Sequence, residues 1–107
     1  MSIASGAQAP DLEVICEGLE FPEGPVALGD GSVLVVEIAA HSLTRVWPDG
    51  RMQRIVDLGG GPNGAAIGPD GAVDSCNHGG TKVIREAGIV RTAGQADDYS
   101  GGRIERV

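Results

Sequence analysis

Two short stretches of this 107-residue chain place a polar residue between a proline and a glycine: "FPEGPV" at 21–26 and "GPNGAA" at 61–66. The first presents a carboxylate, Glu23, and the second a neutral amide, Asn63, each just ahead of a strand-like apolar run. Both are hard oxygen donors, the kind a Ca²⁺-like cation collects at roughly 2.3–2.6 Å with about six to eight oxygens in all. Taken singly, each is equally readable as a turn cap. Whether they act together depends on the elements that carry them.

Those elements are strands and turns, with no good helix. Eighteen glycines, and the stretches "GDG" (29–31), "PDG" (48–50) and "PDG" (69–71), mark tight turns between short apolar runs. Asp tolerates turn dihedrals and Gly supplies positive φ at no steric cost, so hairpins are expected. The strand candidates are 12–16, 25–28, 32–38, 43–47, 52–58, 65–68, 72–76, 82–85 and 103–107. "SVLVVEI" is apolar on both faces, as a strand covered on two sides would be, whereas "LTRVW" and "MQRIVDL" are mixed, as outer strands would be.

The chain also repeats. Sliding it by 40 residues aligns "PEGPVALGDGSVLVVE" (22–37) with "PNGAAIGPDGAVDSCN" (62–77) without a gap, and five of sixteen positions are identical. The identities fall largely on turn residues. "LTRV" (43–46) then matches "IERV" (104–107) at an offset of 61, so the second copy carries 21 additional residues, around "GGTKVIREAGIVRTAGQADDYSG". A period of about 40–45 residues with four strands per unit is the mark of a β-propeller blade. In that architecture each first strand lines a central channel, and Glu23 and Asn63 would enter the same axial mouth from neighbouring blades.

Composition narrows the classes of function. The chain is 41% hydrophobic but only 3% aromatic, enough for a single small domain with a modest core. The net charge of −7 arises entirely in residues 1–40, which hold seven acids and no Lys or Arg. That distribution argues against nucleic acid, which requires a basic face, and a local negative field favours divalent cations or simply keeps the protein in solution. No apolar run approaches the roughly 20 residues that span a bilayer, and "MSIASGAQAPD" lacks both the basic start and the apolar segment of a signal peptide. No membrane partner and a cytoplasmic location are expected. Cys16 and Cys76 show no CxxC spacing and read as buried free thiols.

"LEFPEGPVAL", "GPNGAAIGPDG", "CNHGG" and "SGGRIERV", spaced in this order from Leu12 onward, resemble the N-terminal part of the gluconolactonase family. That family includes senescence marker protein (regucalcin) and luciferin-regenerating enzyme. The resemblance implies an all-β fold, a six-bladed β-propeller with one divalent cation in its channel, and hydrolysis of sugar lactones or related esters. It implies that Glu23 binds the metal and that Asn63 binds the metal or the substrate. The cation would be Ca²⁺, with Zn²⁺, Mg²⁺ or Mn²⁺ as other candidates; no catalytic residue is assigned.

The resemblance also implies what this chain lacks. Residues 1–11 read as a tail and 12–107 as a partial propeller, with one blade at about 22–60 and an incomplete one at about 61–107. The further metal ligands of the family come from later blades. About three repeats are normally needed for stability, so the chain is expected to belong to a longer polypeptide or to form a homo-oligomer, a trimer of two-blade chains being the simplest closure. Asp74 and Ser75 stand where the first copy has Leu34 and Val35, and an acid in a central strand is costly to bury unpaired. They suggest an exposed or rearranged second unit, or a diverged sequence, and with it a competing reading as a non-catalytic, oligomerising β-module with a decayed metal site. His41 and His78 read as loop residues, Glu37 and Asn77 as matched residues at the ends of the second strands, and Asp97 and Asp98 as part of a solvated loop that could cover the channel. No GxSxG, no phosphate-binding GxGxxG and no CxxC is present.

Overall fold

The three Asp-Gly turns are built alike. In the computed structural model, which describes residues 11–107, the glycine N–H closes each turn: Gly31 donates to the Leu28 carbonyl at 3.1 Å, and Gly50 to Trp47 and Gly71 to Gly68 at 2.9 Å. These glycines take φ of +86°, +87° and +83°, the left-handed region that a side chain would strain. Asp30, Asp49 and Asp70 each accept the backbone N–H two residues on. A type I turn followed by a left-handed glycine joins antiparallel strands without splaying them.

Among the described residues the chain forms nine strands and no helix. β1 (Pro22–Ala27), β2 (Val33–Glu37), β3 (Ser42–Val46) and β4 (Met52–Asp57) make a four-stranded antiparallel meander in chain order. β5 (Pro62–Ile67), β6 (Val73–Asn77) and β9 (Arg103–Arg106) make a second sheet, and β7 (Thr81–Glu86) and β8 (Ile89–Gln95) form a separate hairpin between β6 and β9. The fold is all-β, as expected.

The sequence repeat is carried into strand register. Pro22 faces Glu37 and Val26 faces Leu34 in the first sheet; Pro62 faces Asn77 and Ala66 faces Asp74 in the second. Leu34 opposite Arg45 recurs as Asp74 opposite Arg106, and Val36 opposite Leu43 as Cys76 opposite Ile104. Both first strands shift register near their starts, between Glu23 and Val26 in β1 and between Pro62 and Gly64 in β5. Even the ion pair across the turn recurs: Arg45 to Asp30 at 2.7 Å, Arg106 to Asp70 at 3.9 Å.

The two sheets stack through one face each. Leu34, Val36 and Leu43 are at most 5% exposed and pack with Val26, Leu28, Val56 and Leu58 of their own unit and with Ala65 and Val73 of the second. Each such side chain contributes about 1.5–3 kcal/mol by leaving water. On the opposite face of the first sheet, Val33, Val35 and Val46 meet Val14, Ile15 and Leu19 around an apolar hollow of about 390 Å³.

Four expectations are corrected. Residues 12–16 are not a strand; Val14, Ile15 and Cys16 line the hollow beside the first sheet, Leu12 is exposed, and no described strand pairs with them. β3 is not outer but interior and buried. Its polar residues are tolerated there because Thr44 donates to Glu37 and Arg45 pairs with Asp30. β8 went unpredicted, since its Ala87-Gly88 turn, with φ of +50° and +77°, lacks the Asn or Asp that usually signals a two-residue hairpin. The thiols are not buried as a pair: Cys16 is half-buried and Cys76 exposed, on a face of the second sheet that no described residue covers. Asp74 shares that face and pairs with Arg106 at 2.9 Å, so it is not an unpaired buried acid. Ser75 points the other way, fully buried, and donates to the Gly64 carbonyl. The proposed tail, residues 1–11, lies outside the described residues apart from Asp11. No helix among the described residues is long and apolar enough to cross a membrane.

Candidate functional site

β1 and β5 meet at their bulged starts. A Cβ on Gly24 would lie 2.8 Å from the Cα of Gly64 and 3.3 Å from the Ala65 nitrogen, so only glycine permits this approach. The residues just before these two glycines are Glu23 and Asn63. Both are exposed, and both line one cleft of about 540 Å³.

The rest of the cleft comes from three further places. Phe21 and Ile38 give apolar surface from the first unit, His78 follows the end of β6, and the inserted segment supplies Thr81, Thr92, Gln95 and Tyr99. The 21 additional residues therefore form a wall of the cleft. Arg85 on the hairpin ties it to the first unit, donating to the Glu20 carboxylate at 2.9 Å.

The matched pair Glu37 and Asn77 are structural. Glu37 is fully buried and accepts from the Glu20 N–H, the Thr44 hydroxyl and two nitrogens of Arg54. Burial pushes its carboxyl up, but the hydrogen bonds from Arg54, Thr44 and Glu20 outweigh burial and hold it below its ordinary value. Asn77 accepts from the Gly61 and Gly79 N–H groups, both at 2.9 Å, and donates to the Gly59 carbonyl and to Glu105. Thr44 and Glu105 occupy the same register position in the two units. The carboxylate has thus moved from the second strand to the third, and the bond between the strands persists with donor and acceptor exchanged.

No protein-family model matches this chain, and no curated protein is significantly similar to it.

The remaining candidates separate. His41 bonds through Nδ1 to the Gly60 carbonyl, which makes Nδ1 its donor, and it lines a second hollow of about 280 Å³ with Arg85 and Asp98. Asp97 pairs with Lys82 at 3.2 Å on the surface. His78 lies in the loop after β6, as the sequence indicates, and that loop brings it to the cleft. The signal was available: His78 follows Asn77, which aligns with Glu37, so its first-unit counterpart is Ile38, and both line the same hollow.

Chemically, the cleft combines a carboxylate, two carboxamides, an imidazole and hydroxyls with an apolar edge. Among the described residues no three His, Cys, Asp or Glu gather as a metal-binding group. Among the described residues that line the cleft, Glu23 is the one charged donor for a cation, and the other oxygens would be neutral.

Proposed function

We propose that the chain is a portion of a six-bladed β-propeller that hydrolyses sugar lactones or related esters with the help of a divalent cation. The observation that supports this most is the meeting of Glu23 and Asn63, from equivalent positions of two register-matched units, on one wall of a polar cleft. A four-stranded meander stacked against a second unit of the same register is the construction expected of adjacent blades.

The donor chemistry fits a hard cation. Glu23 takes part in none of the ion pairs among the described residues, and a carboxylate with a neutral amide oxygen suits Ca²⁺ better than a thiophilic metal. Glu23 and Asn63 would hold the ion, which when bound supplies Lewis-acid polarisation of the lactone carbonyl. Asn63 also has an amide N–H to orient a substrate oxygen. Phe21, Ile38 and Tyr99 give a sugar ring an apolar surface to lie on, and Gln95 and Thr92 give its hydroxyls partners.

Hydrolysis of D-glucono-1,5-lactone by the purified chain, with and without added Ca²⁺, tests this reading. A metal-dependent rate above the spontaneous one supports it, and a rate equal to background in both conditions favours the non-catalytic β-module.

A further inference from the structure

His78 is held in a way that a passive loop histidine would not be. Its imidazole fills the space of an absent side chain: a Cβ on Gly61 would lie 2.0 Å from its Cε1 and 2.5 Å from its Nε2. The Gly80 N–H points at its Nδ1 from 3.2 Å. A backbone N–H can only donate, so Nδ1 is the bare nitrogen and the neutral ring carries its proton on Nε2. The main chain is fixed as well, because the His78 N–H donates to the Gly61 carbonyl at 2.9 Å and the next residue, Gly79, donates to Asn77 at 2.9 Å. A ring with a set tautomer and a set seat lines the same cleft as Glu23 and Asn63.

We infer that His78 is a specificity residue of this cleft, donating its Nε2–H to a neutral hydroxyl or ring oxygen of a polyhydroxylated, uncharged ligand. The inference rests on the sugar-lactone reading of the cleft and adds to it the residue that selects for oxygen-rich rings. Glu23 disfavours anionic ligands in the absence of a cation, and the amide of Gln95 and the hydroxyl of Thr92 are neutral partners lining the same cleft. A donor locked by Gly80 loses no rotational freedom when it binds, so its hydrogen bond discriminates more sharply than one from a mobile side chain.

The probe is D-glucono-1,5-lactam, an uncharged analogue that is not hydrolysed, titrated calorimetrically into the full chain. Wild type is expected to bind it, His78→Leu to bind about tenfold more weakly, and His78→Gln, which keeps an N–H near the Nε2 position, to recover most of the loss. Long-range ¹⁵N correlation spectra of the imidazole are expected to show the Nε2–H tautomer in the free protein and a shift of Nε2 on adding lactam. An Nδ1–H tautomer, no lactam binding by wild type, or equal binding by wild type and His78→Leu overturns the inference. Lactone turnover is read separately: turnover with lactam affinity indifferent to His78 removes this inference alone, and His78-dependent lactam binding without turnover removes the hydrolase alone.

Discussion

A Cβ added to Gly24 would stand 2.8 Å from the Cα of Gly64, whereas a Cβ added to Gly64 would meet nothing within 4 Å. The two glycines occupy the same place in two successive units, yet only one is sterically required. Gly24 also has a φ of +57°, where an L side chain is strained. Gly24→Ala is therefore expected to cost about 2 kcal/mol or more, from backbone strain and the forced separation of β1 from β5. Gly64→Ala should stay within about 0.5 kcal/mol of wild type. Urea unfolding midpoints compare the two, and equal midpoints would mean that β1 and β5 do not touch there.

Glu37 anchors the first unit from within. Glu37→Gln keeps the shape but weakens two bonds to Arg54 and places an amide N–H where a donor already points. Because the Arg54 side chain is 40% exposed and can turn to water, the expected cost is about 2–3 kcal/mol, below the loss typical of a fully buried pair.

The same carboxylate predicts a pH effect. Its folded pKa lies below the ordinary glutamate value of 4.5, so its stabilisation is present above that value and is lost as pH falls through the folded pKa. Wild type should lose stability more steeply than Glu37→Gln below about pH 4.5, as followed by thermal unfolding across pH 3 to 7. Parallel curves would show that Glu37 titrates alike in the folded and unfolded chains.

Cation binding separates Glu23 from Asn63. Calorimetric titration with Ca²⁺ should give no detectable heat for Glu23→Gln and a weaker affinity for Asn63→Ala, since the first removes the cleft's one charged donor and the second a neutral oxygen. Identical isotherms for wild type and both variants would leave the two residues as turn caps.

The chain is expected to associate. The second sheet exposes Ile67, Ile104 and Val107 at 43%, 68% and 44%, and β9 is an edge strand, a combination that invites pairing with another chain. Light scattering coupled to size exclusion should give a mass above 10.9 kDa. A cooperative, soluble monomer would sink the expectation.

Much of the local structure was legible. The Asp-Gly turns were readable because their chemistry is local: an aspartate that bonds two residues on and a glycine that alone tolerates the left-handed φ. The repeat was readable for the same reason, since its identities cluster at turns, and turns set register. β8 was not readable, because a hairpin closed by Ala-Gly has no strong residue signal and the hairpin pairs only with itself.

The sequence by itself determined the all-β class, the tandem units with their inserted segment, and the two oxygen donors, which it set just ahead of the first strands and the structure sets inside them, as the second residues of β1 and β5. Only the tertiary structure decided what those residues face. It brought Glu23 to Asn63 through the Gly24–Gly64 approach, turned the insertion into a cleft wall, and set the loop that carries His78 against that cleft. It also put Asp74 on an open face beside Arg106 and sent Glu37 inward to Arg54. The physical reason is common to all five. Turn and strand preferences act over a few residues, whereas the partner of a side chain 15 to 60 residues away is set by which sheet faces stack, and that is a property of the packed core rather than of any local pattern.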